Sequence, residues 1–496
     1  MKPSAVRTGH IDALEPRVLM SGADDLNHHL YYPEGFSSRT ISEAVPITNP
    51  NDQAATYELW ARYATGERDQ LISSGTIAPH SRAGVVVTNA RRDGSSLTRT
   101  GVGYALELRS SLPLAANLSH YDFGTAIGES FTNTTSTDWT FGDGVKDSTN
   151  VRQALVVYNP NNEEAHVTLT AFTESGQVVS VTKSIDALRR GGWNLHRALD
   201  VSEGLYGIRV TSDVPVVAAL THYDITEQRG YGSLGQAGGA TAGYIASIDP
   251  EDNSDDGTPD QGGGNDDDGT PDQGNGRANR RATLGILNAG DAPATVTLKF
   301  VDREHGDTVV VAQRTLTVAP GSHDKVDVAS LGIVADAGFG VVYESDLPVT
   351  MAASVFRGND AVGVEATAIA ATTWTFGEGF MSAARAGLSV FEDLYVFNPG
   401  AASANVTVEF FLGDGRTYSI SDSMDSLKNE DFELHDLPGL LALGPASYFG
   451  LRVTSTVPVV AAFEHWDSVL GGGFATQGLA GGTIVDRKST RLNSSH

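Results

Sequence analysis

A chain of 496 residues is several times the length of an ordinary domain, so several hydrophobic cores are expected. An apolar fraction of 40%, a charged fraction of 19%, 55 glycines and 19 prolines suit a turn-rich β protein, with many short strands. A formal charge of -27 disfavours nucleic acid and anionic lipid as partners, and the absence of cysteine excludes disulfides, thiolate nucleophiles and thiolate metal sites.

Residues 1–30 read as a disordered N-terminal segment without the apolar stretch of a signal peptide. No window approaches 18 apolar residues, so no membrane insertion is expected in this sequence. Leu14-Glu15-Pro16-Arg17-Val18-Leu19 resembles the LEPR-type segment that opens many large surface-exported bacterial proteins, although Leu19-Met20 stands where two leucines are usual. That resemblance implies an extracellular or cell-surface location.

Internal repeats dominate the rest. Ser110–Asp122, Ser212–Asp224, Ser345–Arg357 and Ser455–Asp467 all begin Ser-x-x-Pro. Each lies about 60 residues beyond an asparagine that closes an apolar run (Asn49, Asn159, Asn288 and Asn398). An aromatic followed by an acidic-Gly pair opens three units, at Tyr31, Trp139 and Trp374. Two-residue alternation, as in Val406, Val408 and Phe410, marks half-buried strands, and Asn-Pro and Gly steps mark turns. In the second unit strands are expected near Leu155–Tyr158, Val167–Thr173, Val178–Thr182, Trp193–Leu195, Leu205–Thr211 and Val216–Tyr223.

The fold expected is all-β: four tandem immunoglobulin-like antiparallel sandwiches over 31–137, 138–248, 282–371 and 372–485. They are expected as two pairs joined by an acidic linker at 249–281, each unit closing its own core without solenoid-like coupling. The openers, the Asn-Pro-Gly strand ends and the Ser-x-x-Pro strands resemble the β-sandwich repeats of secreted bacterial proteins with aromatic-x-Ala-Glu-Gly openers. Those repeats occur in surface, adhesive or stalk-like parts, which implies a fold family and no chemistry.

In the linker, DDGTPDQG occurs at Asp255 and again at Asp267. Carboxylates with almost no apolar residue make a self-repelling spacer. Asp255, Asp256, Asp267 and Asp268 are weak candidates for nonspecific calcium, since Ser254 breaks the ligand spacing that starts at Asp252 and no bidentate glutamate follows. No dedicated metal or cofactor is expected.

His120, His222 and His465 each precede an aromatic and then Asp122, Asp224 or Asp467. On a strand each pair shares one face, which invites a catalytic or metal reading, but recurrence in three units favours a strand-end hydrogen bond. Gly230, Gly232 and Gly235 give a G-x-G-x-x-G spacing without a following helix, and read as a loop. Tyr31, Trp139 and Trp374 are candidate interaction aromatics, or else seam-packing residues between neighbouring units. No catalytic motif is present, so no enzyme is expected.

The last eleven residues, Asp486–His496, resemble a translated sequencing adapter, so the natural chain is expected to continue past Val485. The expected role is a noncatalytic secreted or cell-surface repeat protein, a spacer and adhesion module whose partner is a surface protein or polysaccharide. The alternative is a set of accessory, carbohydrate-binding repeats of a larger exported enzyme. An intracellular enzyme using the His and Asp pairs would lose activity on His222→Ala.

Overall fold

The structure is a computed structural model and describes residues 26–486, apart from 93–94, 249–280, 303–309, 333–337, 358–359, 382–389, 444–446 and 468–471. The LEPR-type segment, residues 487–496 and the candidate calcium aspartates lie outside the described residues.

The second unit shows how the repeat is built. Its opening strand, Ser136–Lys146, pairs with the first half of the 21-residue strand Gly204–Asp224, which pairs in turn with Ala165–Thr173 and that with Val178–Ile185. The second half of Gly204–Asp224 lies in the other sheet, between Val151–Asn159, flanked by Arg189–Asn194, and a strand at Arg229–Leu234. With the short strand Gln236–Ala237, which pairs with the opening strand, the unit is an eight-stranded antiparallel sandwich.

Two strands expected separately, Leu205–Thr211 and Val216–Tyr223, are one bent strand. The Ser-x-x-Pro word marks where it leaves one sheet for the other, and Pro215, which has no N–H to give a ladder, falls at that crossing. Phe339–Arg357 and Ser447–Asp467 repeat the feature, and in the first unit it is split into Tyr104–Ser110 and Ala115–Asp122. Alternating residues fill each core: Trp139, Phe141, Leu155, Val157, Leu169, Ile208 and Val210 in the second unit.

The recurring word Asn-Pro is explained by the asparagine itself. Asn159 is fully buried; its Nδ2 donates to the carbonyls of Glu163, Ile185 and Asp186, and its Oδ1 accepts from the Asn161 amide. Asn49 and Asn398 repeat the pattern with their own turns, and Asn288 does so with two carbonyls. One side chain closes a turn and ties it to the next strand.

The third unit begins earlier than expected. Its opening strand is Ala240–Ile248, which pairs with Phe339–Arg357, so the acidic stretch interrupts this unit after its first strand rather than dividing two halves. The opener is present in disguise. Gly243 faces Tyr343, where Trp139 faces Val210, and a methyl on Gly243 would overlap the Tyr343 ring. The bulk has moved to the partner strand, which hides the word from a linear reading.

The units also do not stand in series. Four equivalent strands, Thr125–Ser130, Arg229–Leu234, Asp360–Glu365 and Gly473–Gln477, pack side by side around a common axis, each touching the next and the last touching the first. The contact repeats. Phe474 of the fourth unit lies on Gly128 of the first, Ile127 of the first near Gly232 of the second, and Tyr231 of the second on Gly363 of the third. A methyl at Gly128 or Gly363 would overlap the ring it faces.

A second repeated contact closes the same ring. One carbonyl in, or directly after, the opening strand of each unit accepts a donor from the following unit: Pro33 from Arg190 at 3.2 Å, Gly142 from His323 at 2.9 Å, Ala246 from Asn429 at 2.6 Å. For Gly377 of the fourth unit the donor is Thr48 of the first, at 3.5 Å. The expectation of independent units in two pairs is therefore corrected to a closed ring of four sandwiches.

Candidate functional site

Where the four axial strands end, the ring encloses a cavity of about 300 Å³. Its wall is built from equivalent stretches of all four units, within 129–134, 234–237, 363–369 and 475–480, together with Trp139, Trp374 and Ile484. The topology dictates this. After each axial strand the chain turns back to bridge its own opening strand, at Thr132, Gln236, Thr367 and Leu479, before the next unit begins.

Among the described residues of that wall, the ionisable side chains are Glu129 and Glu365. Glu129 accepts hydrogen bonds from the Ser130 amide and from Thr476 of the fourth unit, and Glu365 accepts from the Gly142 amide of the second. Burial pushes Glu129 up to about 7 and Glu365 well above the usual carboxylate range, against the hydrogen bonds that oppose it. Asp143, buried at the neighbouring seam with Tyr231 and Ser354 as donors, is pushed up to about 6, again by desolvation. The axis thus holds carboxyls with too little compensating charge.

The three histidines sit elsewhere, and not with the aspartates two positions on. Each faces the second strand of its unit: His120 with Glu43 at 2.9 Å, His465 with Glu392 at 2.9 Å, His222 with Gln153 at 3.0 Å. Desolvation favours the neutral ring in all three, but the glutamates outweigh it at His120 and His465, which are raised, whereas His222 falls to about 4. The cross-strand partner decides the charge. Sequence reading missed Glu43, Gln153 and Glu392 because the partner is 69 to 77 residues away, at a distance only strand register reveals.

Glu378, Glu392 and His465 bring ligand-type atoms within 4.8 Å of one another, at the seam between the fourth and first units. Ser119 donates to Glu378 at 2.9 Å, and Tyr121 bonds His465 at 2.9 Å. The buried Arg82 guanidinium lies in the field of both glutamates and over the Tyr448 ring at 4.7 Å. His465 is raised by its Glu392 partner while burial pushes Glu392 up to about 7, and Arg190 stands in the same place as Arg82, against Glu34, at the first seam. This is ring-closing electrostatics.

Trp139 and Trp374 are each 2% exposed and donate their indole N–H to Val216 and Val459, so neither offers a free face to solvent. Tyr31 packs across the first seam on Tyr158, ring centroids 5.7 Å apart. Gly230 and Gly232 lie in an axial strand rather than a loop.

Four antiparallel sandwiches closed about one axis define an all-β tandem-repeat protein. The chain belongs to the Family of unknown function (DUF5719), whose model matches residues 136–236 and 273–478, more than half of its length. Among solved structures, "Crystal Structure of Thermotoga maritima 1070" aligns at 21% identity over 20% of this chain and 93% of that one, with a TM-score of 0.19. "Crystal structure of tetra-tandem repeat in extending region of large adhesion protein" aligns at 11% identity over 89% and 94%, with a TM-score of 0.11. No curated protein matches the chain.

Proposed function

We propose that this protein is a noncatalytic binding module of an exported, surface-associated protein, and that its four sandwiches act as one closed platform rather than as spacers in series. The observation that carries this is the ring: the first and fourth units share buried hydrogen bonds between residues 259 and 260 positions apart, Ser119 to Glu378 and Gly377 N–H to Asn117. The recurring histidines and their cross-strand partners, and Glu378, are spent on strand pairing and seams. The location outside the cytoplasm rests on the LEPR-type resemblance at Leu14–Leu19.

Two measurements test it together. Small-angle scattering of the full chain should give a radius of gyration near the roughly 23 Å of a compact body of this size, and an extended value refutes the platform. A glycan and peptide array probed with the chain should show saturable retention with the ligands chemically unchanged. Release of altered ligand would overturn the noncatalytic reading.

A further inference from the structure

We propose that one corner of the second sandwich, formed by Lys146, Arg152, His196 and Arg197, binds the carboxylate or sulfate groups of an acidic polysaccharide. Lys146 ends the opening strand and donates its Nζ to the carbonyls of His196 at 2.9 Å and Leu199 at 3.1 Å, which holds it against the short helix Leu195–Ala198. The register that pairs Ala154 with Asn194 places His196 opposite Arg152, two residues further along. Arg197 is exposed and makes no hydrogen bond or ion pair among the described residues.

None of these three cations has a carboxylate partner among the described residues. Lys146 and Arg152 bond backbone carbonyls alone, Arg152 those of Ser148 and Val151. The acids of the adjoining turns are taken: Asp147 accepts from the Thr149 and Asn150 amides and the Asn150 side chain, and Glu203 accepts twice from Ser148. His196 registers the resulting field. Desolvation, then the charges of Arg152, Arg197 and Lys146, hold its imidazole below the ordinary value, and its sheltered Nδ1 has no partner. In a chain with 34 lysines and arginines against 61 aspartates and glutamates, such a cluster runs against the composition.

The other repeats show that folding does not require it. By the same registers the fourth unit sets Met381, Phe391, His435 and Asp436 at the four positions. There His435 packs on Phe391, ring centroids 5.2 Å apart, with the Asp393 carboxyl 3.5 Å away. The first unit has Ser42 and Thr88 where the second has Arg152 and His196. The third has Arg281 and Ala329, and its arginine lies over the Phe356 ring at 4.8 Å.

Two features favour a polysaccharide over a free anion or an acidic peptide. The cations stand on three separate elements at the surface, which suits several anionic groups on one chain. The neighbouring edge strand Arg189–Asn194 is closed to a pairing peptide, because Lys183 Nζ bonds the Gly192 carbonyl and stands over the Trp193 ring, 5.2 Å from its centroid. The formal charge of -27 repels anions at long range, but exposed charges are screened beyond about 8 Å at physiological ionic strength, so a group in direct contact answers to the local field.

The inference names a partner class for the binding-module reading and rests on it. The experiment is calorimetric titration of the full chain with tetragalacturonate, a chondroitin sulfate tetrasaccharide, neutral galactotetraose, inorganic sulfate and hexaglutamate. Expected are saturation by an acidic tetrasaccharide, no heat from galactotetraose, and an upward move of the His196 titration in imidazole NMR once the site is filled. Arg197→Gln should weaken binding about tenfold with an unchanged melting temperature, and adding Arg152→Gln should abolish it. Binding of the sulfated sugar without tetragalacturonate assigns the recognised group to sulfate; the reverse assigns it to carboxylate.

Failure of both acidic sugars to saturate, equal binding of galactotetraose, tighter binding of hexaglutamate or inorganic sulfate, or full affinity in Arg197→Gln overturns the proposal. Should a variant unfold, the His196 titration in the unaltered, sugar-saturated chain decides the matter, and an unmoved one counts against the site. If the acidic sugars fail while other ligands on the array still retain the chain, the binding-module reading stands and this site falls. Conversion of a bound sugar, followed by proton NMR, sinks the noncatalytic reading and leaves the site standing.

Discussion

At the scale of single residues, the molecule uses a few side chains as fixed parts and varies their charge. Asn159→Ala would leave three carbonyls without their donor in a buried turn, and we expect a loss of about 3 kcal/mol in chemical denaturation. Gln153→Glu would give His222 the partner that His120 and His465 already have. Its titration should then move from about 4 to above its ordinary value, as read by imidazole NMR. A histidine that stays neutral at pH 6 in this variant would show that burial, and not the partner, sets the charge. Glu107 shows the opposite balance. Desolvation works against its charge, but hydrogen bonds from His29 and Arg109 and the Arg62 guanidinium hold it down to about 2. Its contribution is present above the ordinary carboxylate pKa and lost only as the pH falls through about 2.

At the scale of elements, the strands of each sandwich were legible and the tight packing of the axial ones was not. Val178–Ile185 and Thr417–Met424 alternate exposed and half-buried residues along an outer edge, and alternation reads directly from sequence. Thr125–Ser130 and Asp360–Glu365 are buried at every position, because each has its own core on one side and a neighbouring unit on the other. Their small, uncharged middles, Ala-Ile-Gly and Ala-Val-Gly, were the available signal, since an antiparallel strand without a polar face needs a second partner. The sandwich and the repeat came from local patterns. The ring and the seam pairs depend on contacts hundreds of residues apart, and the third opener was concealed by the exchange of bulk between Gly243 and Tyr343. The axial packing makes its own prediction. Gly128→Leu would drive a side chain into Phe474 and part the first and fourth units, so scattering should report a larger radius while circular dichroism keeps its β signal.

At the scale of the whole molecule, the axial and seam carboxyls tie stability to pH. Glu129 near 7 and Asp143 near 6 bind protons more tightly when folded than when unfolded. Their stabilisation is complete below the unfolded carboxylate pKa and is lost as the pH rises through 6 to 7. For Glu129 the swing is on the order of 3 kcal/mol. Melting temperature should therefore fall between pH 5 and pH 7.5, and Glu129→Gln should flatten that fall; a profile that rises over this interval would contradict the assignment.

The seam is a head-to-tail contact, with a different surface on each side, and it comes back on itself after four steps. Such a contact has a preferred turn built into it, here about a quarter of a circle, and that angle fixes the number of units. A duplication to five or a deletion to three would leave one donor edge and one acceptor edge facing solvent, each suited to the complementary edge of another molecule. The same glycine and carbonyl contacts that make a discrete particle from four units would then favour open, growing assemblies, so unit number in this architecture is under a geometric constraint that spacer arrays escape.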